Sequence, residues 1–418
     1  MAPRVAIIGA GPAGCMLARL LTLRSVPVVV FEGEPSPNYR SQGGTLDLHT
    51  ESGLAAMQDA GLFDEFLKHA RYDGESMVLA DKNLKVYFRE SPSKQTAANK
   101  LGGQRPEIDR AELRRILTES LPEGVIRWGH RLKQVEDNGT LVFEHTSESG
   151  FDLIVGADGC WSKVRNALTG QHPIFARVAC FELQILDPET TVPTLHGLVN
   201  RGSVFAHADG RMLSVQQMGD GSLHVMAIQA RDSEKWQESC GFDTRSIKDV
   251  KAALIGEGGP FADWHPTLRT AIETANDAKC VPRSLFMLPV GFTWPHRRGF
   301  TVIGDAAHVM TPFAGEGVNL ALDDARKLAK AIISAAPGDA HDLDDAVIAS
   351  EKELWQRTVK VTKLTDDVTQ AWFFTPGVPK SVIARIMCMH LKEHIPAILY
   401  PFAAAFVHCY YFIWSLWN

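Results

Sequence analysis

Apolar residues fall into two textures along this chain. In the first, runs of strand length stop at a glycine or a single acid. Val5 to Ile8 stops at Gly9, Val26 to Phe31 at Glu32, Phe151 to Val155 at Gly156, and Phe300 to Ile303 at Gly304. Runs without polar alternation predict strands buried on both faces. An alanine- and leucine-rich stretch to Leu23 predicts a helix after the first run. The second texture, from about 175 to 280, alternates apolar and polar residues. Met212 to Met218 and Ser222 to Gln229 flank Gly219-Asp220-Gly221, which predicts a hairpin, and Val78 to Phe88 predicts another with Asp81-Lys82-Asn83 at its tip. This region reads as a separate sheet inserted into the first texture. Helices are predicted from Ser52 to Lys68 with a break near Gly61, after Asp109, from about Asn319 to Ser334, and from Leu343 to about Thr369. Residues 91–104 are polar and read as a loop.

The first run opens the strongest motif. Gly9, Gly11 and Gly14 stand at G-x-G-x-x-G spacing between strand and helix, and Glu32 ends the next strand 18 residues after Gly14. Gly9 permits the tight turn, Gly11 lets backbone approach a pyrophosphate, and Gly14 lets the helix pack close to the strand. The helix N-terminus offers unpaired N–H groups and partial positive charge to the pyrophosphate, and Glu32 can accept hydrogen bonds from ribose hydroxyls. The plainer alternative is a glycine-rich turn without a ligand.

Two more strand ends carry polar corners. Asp158-Gly159 precedes a helix start with Ser162 and Arg165; Gly304-Asp305 precedes Pro312, Gly315, Gly317 and Asn319 at the opening of another helix. Asp158 is alternatively a plain turn residue, and Asp305 an ordinary helix cap. Asp109 and Glu112 have capping-box spacing, which by itself favours a capped surface helix with solvated arginines.

Length of 418 residues predicts two or three domains. A net charge of -6 argues against nucleic-acid binding. The seven cysteines contain no C-x-x-C pair, so neither a zinc site nor a disulfide framework is expected. The glycine motif begins almost at Met1, which leaves no room for a cleaved signal peptide, and a reducing cytoplasmic location is the expectation.

Taken in order, the three corners resemble the class A FAD-dependent aromatic hydroxylases, a family of flavoprotein monooxygenases. Gly43 to His49, Pro106-Glu107-Ile108 before Arg110, Ser162 to Arg165, Ile303 to His308 and Pro312 to Gly315 are similar to the tetracycline-inactivating members. The resemblance spans roughly residues 4–372. It implies an α/β fold: a Rossmann-like FAD-binding domain of aromatic-hydroxylase type, an inserted mixed β-sheet substrate domain and a C-terminal helical region. The boundaries expected are 1–75, 101–174 and 281–340 for the FAD domain, 76–100 and 175–280 for the substrate domain, 341–375 for a bridging helix and 376–418 for a hydrophobic extension.

By the same resemblance, Gly9, Gly11, Gly14 and Glu32 hold the ADP half of FAD, and Arg110 contacts the cofactor. Arg40 and Asp47 lie beside the flavin and the nicotinamide approach. Asp158 and Arg165 belong to a segment serving FAD and NAD(P)H, Asp305 binds the ribityl or pyrophosphate region, and Pro312 with the Gly315, Gly317 and Asn319 turn faces the isoalloxazine. NADPH or NADH reduces FAD, O2 adds to give a C4a-hydroperoxyflavin, and one oxygen passes to an aromatic, phenolic or enolic polycyclic substrate by hydroxylation or epoxidation. Secondary metabolism or inactivation of a xenobiotic or antibiotic is the implied setting. His224 matches a substrate-contacting histidine, with a half-buried strand histidine as the alternative. Glu182 and Ser203 stand where the tetracycline enzymes have glutamine and arginine, Glu316 replaces a common glutamine and Thr311 a frequent proline. His224 or Glu182 is the candidate general base. No nucleophilic triad or metal site is visible.

Two other functions use such a chain: a flavin-dependent halogenase, whose W-x-W-x-I-P stretch is absent here, and a flavin-retaining protein that sequesters a hydrophobic metabolite. Beyond the resemblance, residues 394–418 contain no Asp, Glu, Lys or Arg. That length can cross a bilayer, and Tyr400, Tyr410, Tyr411, Trp414 and Trp417 suit its interface. Pro396 and Pro401 instead favour a helix pair packed on the protein or on a second subunit.

Overall fold

The computed structural model describes residues 2–37, 39, 43–90, 105–276, 279–336 and 340–417. In chain order its principal strands are β1 (Val5–Ile8), β2 (Val28–Phe31), β3 (Met77–Asp81), β4 (Val86–Glu90), β5 (Ile126–Arg127), β6 (Leu153–Gly156), β7 (Ile174–Ile185), β8 (Ser203–Ala208), β9 (Arg211–Gln217), β10 (Leu223–Ala230), β11 (Cys280–Met287) and β12 (Phe300–Val302). The principal helices are α1 (Pro12–Thr22), α2 (Arg110–Glu119), α3 (Lys163–Leu168), α4 (Pro193–Val199), α5 (Ile247–Ile255), α6 (Pro266–Glu273), α7 (Gly317–Ala335), α8 (Ala340–Phe374), α9 (Ile383–His394) and α10 (Tyr400–Trp417). Two compact units result. Met1–Ala70, Ile108–Ile174 and Phe286–Thr365 form the first; Arg71–Glu107, Phe175–Leu285 and Asp366–Asn418 form the second.

The first unit is built on a five-stranded sheet in the order β12-β6-β1-β2-β5, with each named pairing parallel. The unalternated runs form its strands because both faces are covered, with α1 packed in the same core as Leu132, Leu141 and Phe143 of a small antiparallel sheet, and β1 and β6 are buried throughout. Ile8 lies opposite Phe31 on one side and Gly156 on the other, and Gly156 opposite Val302. The four strands therefore end in one line. The chain runs from β1 to β2 on one side, then returns to place β6 on the other. The reversal of strand order falls between β1 and β6.

The second unit carries a seven-stranded mixed sheet, β11-β7-β10-β9-β8-β3-β4. Alternation gives its faces opposite characters. Phe181, Leu183, Val204, Leu213, Val215 and Val225 share a core with Leu195, Val250, Leu254 and Leu268 of α4 to α6. The other face carries Glu182, His207, Ser214 and His224, polar yet buried.

Three expectations are corrected. Asp109 is the N-cap of α2, but its side chain makes no capping bond, and Glu112 pairs with Arg115 instead. The arginines of α2 are not all solvated: Arg114 is buried, its Nη2 donating to Glu34 Oε2 at 2.6 Å. The tail does not form a spanning helix. Pro396 separates α9 from α10, and among the described residues no helix is long and apolar enough to cross a membrane.

His207 on β8 is 2% exposed and stacks on Trp372 with ring centroids 3.9 Å apart. Burial pushes its imidazole down to about 3 from 6.5. The unfolded chain therefore takes up a proton near pH 6.5 that the folded chain refuses, and stability falls as pH drops below that value. At about pH 5 this group removes about 2 kcal/mol. His207→Phe keeps the stack and deletes the proton site. Urea unfolding at about pH 7.5 and about pH 5 should show the variant losing about 2 kcal/mol less than the parent on acidification. Equal losses would refute the assignment.

Candidate functional site

The glycine turn after β1 is fixed by two close approaches. Gly9 has φ +104°, and a Cβ there would meet the Ala157 carbonyl oxygen at 2.4 Å. A Cβ at Gly14 would meet the Gly9 carbonyl oxygen at 2.0 Å. Gly11 differs: a Cβ there would meet nothing within 4 Å. Gly11 is the N-cap of α1 and provides no side-chain cap, so the first N–H groups of the helix face open space. Glu32 sits at the end of β2. Its Oε2 accepts from Ala10 N at 2.7 Å and its Oε1 from Glu34 N at 2.9 Å, which fixes the carboxylate beside the turn.

The next corners follow β6 and β12. Asp158 Oδ2 accepts from Lys163 N at 2.7 Å, and Ser162 Oγ caps α3 by accepting from Arg165 N at 2.9 Å. Burial raises the Asp158 carboxyl, opposed by the Ser162 hydroxyl and by backbone N–H groups. Arg165 is wholly buried. Its Nη1 donates to Ala306 O at 2.9 Å and its Nη2 to Cys160 O at 2.5 Å. It bolts the β6 corner to the β12 corner, so its guanidinium holds backbone in place and does not face a cleft. Gly304, at φ +59°, is the N-cap of a helical turn that starts at Asp305, so Asp305 is not the cap and its side chain is exposed. The corners communicate electrostatically: burial and the Asp305 carboxylate push the Cys160 thiol up to about 11.

Gly315 has φ +71°, Glu316 caps α7 without a side-chain bond, and a Cβ at Gly317 would meet nothing within 4 Å. Pro312 opens the short turn before them and is exposed. Asn319, 1% exposed, staples this helix start to a distant segment. Its Nδ2 donates to Asp47 O at 2.8 Å, and its Oδ1 accepts from His49 N at 2.8 Å. Asp47 comes beside the turn, since a Cβ at Gly315 would lie 3.7 Å from Asp47 Oδ1. Arg110 is exposed, and its N–H donates to Gly44 O at 3.2 Å. Arg40 lies outside the described residues.

In the second unit, His224 lies opposite Gln184 on one side and Gln216 on the other, and Gln216 opposite Ser203. Glu182 shares that face two residues along β7. It is not an uncommitted base: Arg283 Nε lies 2.5 Å from its Oε1 and Lys279 Nζ 3.6 Å from its Oε2.

Sequence reasoning missed four partners. His49 Nε2 is 3.0 Å from Asp47 Oδ2 and its Nδ1 3.6 Å from Glu316 Oε2, so the acid at 316 sits against a histidine. Asp324 Oδ2 accepts from Gly304 N at 3.1 Å and lies 2.6 Å from His308 Nε2, while Arg357 Nη2 donates to its Oδ1 at 3.1 Å. Lys279 and Arg283 complete the Glu182 cluster. His49 stands two residues after Asp47, a spacing that shares a strand face; for the others no local signal exists.

A family model described as an FAD binding domain matches residues 3–257 and 294–349. The monooxygenase penA of Penicillium thymicola is 32% identical over 413 residues, covering 87% of this chain and 93% of its own. In fold, the chain is similar to Klebsiella pneumoniae HpxO solved with FAD and uric acid, at TM-score 0.73 and 18% identity, covering 97% of this chain and 96% of that one. It is also similar to the tetracycline destructase Tet(51), at TM-score 0.66 and 16% identity, covering 94% and 98%. The family match and the Penicillium relative together decide the matter: this chain belongs to the FAD-binding-domain family of class A flavoprotein monooxygenases and is an FAD-dependent oxidoreductase.

Proposed function

We propose that the enzyme hydroxylates or epoxidises an aromatic, phenolic or enolic polycyclic small molecule at the expense of O2 and NADPH or NADH, in secondary metabolism or in xenobiotic or antibiotic inactivation. One observation carries the reading. The Gly9 turn, Glu32, Asp158 and Asp305 follow the carboxyl ends of four adjacent parallel strands, beside the point where strand order reverses. Open α/β sheets bind nucleotides at such a crevice.

The residues present fit FAD. The open backbone at Gly11 and the uncapped start of α1 would take the pyrophosphate, and Glu32 the ribose hydroxyls. Asp305 and Asp158 would face the pyrophosphate and ribityl region, with Arg110 and Asp47 contacting the cofactor further along. Pro312, Gly315 and Gly317 would lie against the isoalloxazine. Arg165 and Asn319 would act through the corners they hold. Bound FAD would supply the redox chemistry, accepting hydride from the nicotinamide and activating O2. The uncapped start of α7 would favour negative charge at the N1–C2=O edge. The first unit would thus be the FAD-binding domain and the second the substrate-binding domain. There the row Gln184, His224, Gln216 and Ser203, half-buried at the glutamines and buried at His224 and Ser203, would donate and accept hydrogen bonds, and His224 would hold or accept a phenolic or enolic proton.

Glu32→Ala and Asp305→Ala should each weaken FAD binding by about tenfold or more, the scale of a lost charged hydrogen bond. Fluorescence titration of the apoprotein with FAD measures this, and unchanged affinity in both variants would remove the cofactor assignment.

A correct substrate should stimulate NAD(P)H oxidation several-fold and appear with one added oxygen by mass; consumption without stimulation would favour a sequestering protein. With that substrate, His224→Ala should leave FAD content near that of the parent while peroxide per NAD(P)H rises. Lost flavin with unchanged coupling in the remaining holoenzyme would make His224 structural.

A further inference from the structure

The solvent side of α10 is as apolar as its docked side. Tyr411 is the anchor: its hydroxyl donates to Tyr87 O at 3.3 Å, and Trp414 packs on the Tyr87 ring at 4.7 Å between centroids. Lys85 Nζ lies 4.8 Å from the Trp414 ring centroid. These contacts form a seam, and α9 packs along the helix beside it, with Cys388 Sγ 3.9 Å from Ala404 O. Away from it, Phe402 is 76% exposed, Phe406 72%, Ile413 55%, Leu416 69% and Trp417 85%. More than half of the large exposed hydrophobics among the described residues lie from Ile398 onward.

What covers this arc is constrained by its width and its charge. A partner helix buries a stripe and leaves the flanks wet, and protein interfaces keep a polar rim. Here the outer face runs from Phe402 to Trp417 without a charged residue, and its exposed polar side chains are His408, Cys409 and Tyr410. An apolar half-space covers such a face along its whole width. The surrounding charge selects the surface further: from Pro376 to Asn418 the single acid is Glu393, against Lys380, Arg385 and Lys392, a net positive tail on a chain of net charge -6. Tyr410 and Trp417 have rings suited to the headgroup level. With no spanning helix among the described residues, the contact is in-plane.

We propose that α10 lies in the surface of an anionic phospholipid bilayer, with Phe402, Phe406, Ile413 and Trp417 in the acyl–headgroup boundary and the Tyr411 seam tying the helix to the enzyme.

The test uses FAD-loaded full-length protein floated with phosphatidylcholine vesicles, with and without phosphatidylserine. The protein should float, more strongly with phosphatidylserine. Phe402→Ser, Phe406→Ser and Ile413→Ser combined should cut the floated fraction about tenfold at limiting lipid, since three apolar side chains are withdrawn from the boundary. Should that variant misfold, brominated acyl chains decide with native sequence: they should quench tryptophan emission in the parent and distinctly less in Trp417→Phe. Protein that stays at the bottom with both vesicle types overturns the proposal. So does a dimer by light scattering that the triple substitution dissociates and that vesicles do not bind, which would make a second copy the occupant. The readouts do not involve turnover, so they stand or fall apart from the substrate reading.

Discussion

The first unit depends on a contact in which no side chain can take part. At the β1–β6 reversal the backbone of residue 9 passes so close to the Ala157 carbonyl that a Cβ would sit 2.4 Å from its oxygen. Hydrogen bonds from Gly9 N to Phe31 O at 2.8 Å and from Ala157 N to Ile8 O at 2.8 Å hold the strand ends there. Because Gly9 turns this tightly, α1 starts at once and packs on the sheet through Gly14. Because α1 starts there, its unpaired N–H groups point toward open space at Gly11. A wider turn would leave the same strands and remove the geometry that makes them a binding edge.

Buried charge holds the remaining corners against that edge. Arg165 bonds two backbone carbonyls, Asp324 bonds Gly304, His308 and Arg357, and Glu351 accepts from Trp294 Nε1 at 3.0 Å and Thr301 Oγ1 at 2.9 Å. Each removes a charged group from water, which costs more than a neutral packing contact of the same volume. What such groups offer in return is direction: a guanidinium or carboxylate fixes several backbone atoms at once, where an apolar side chain would fix none. The corners that carry Asp158 and Asp305 are held in this way, so the exposed Asp305 and the more sheltered Asp158 are both oriented by buried partners.

The sheet was legible because burial on both faces erases alternation, as in Val5 to Ile8 and Phe300 to Ile303. The inserted sheet was legible for the opposite reason, since its polar face keeps period two. Local geometry could be read wherever the residue types act on their own neighbours, as with Ser162 capping α3. What escaped were side chains whose partners lie far along the chain. Arg114 looked like a surface residue of a polar helix, yet its partner Glu34 is 80 residues away. For Asn319 the sequence offers a place in a cofactor-facing turn but not the bonds its amide makes to residues about 270 positions earlier. Glu316 was legible only as a departure; the reason for an acid became visible with His49 beside it. For the tail, absence of charge allows a span while Pro396 and Pro401 favour a helix pair, and Pro396 does fall between α9 and α10, with no helix among the described residues long and apolar enough to cross a membrane.

The staple between Asn319 and the Asp47–His49 segment also bears on how the chain is made. A ribosome releases residue 47 long before residue 319, and α1 long before α7, the helix that packs along it. Until β12 emerges, β6 has no neighbour on its outer side, and the parallel pairings already made are of the slow, long-loop kind. The nascent first unit must therefore carry an apolar α1 face and an open sheet edge through most of its synthesis, while the second unit's hairpins, close in sequence, can close on themselves. The nucleotide-binding edge is begun at β1 and finished only when β12 and α7 have been made.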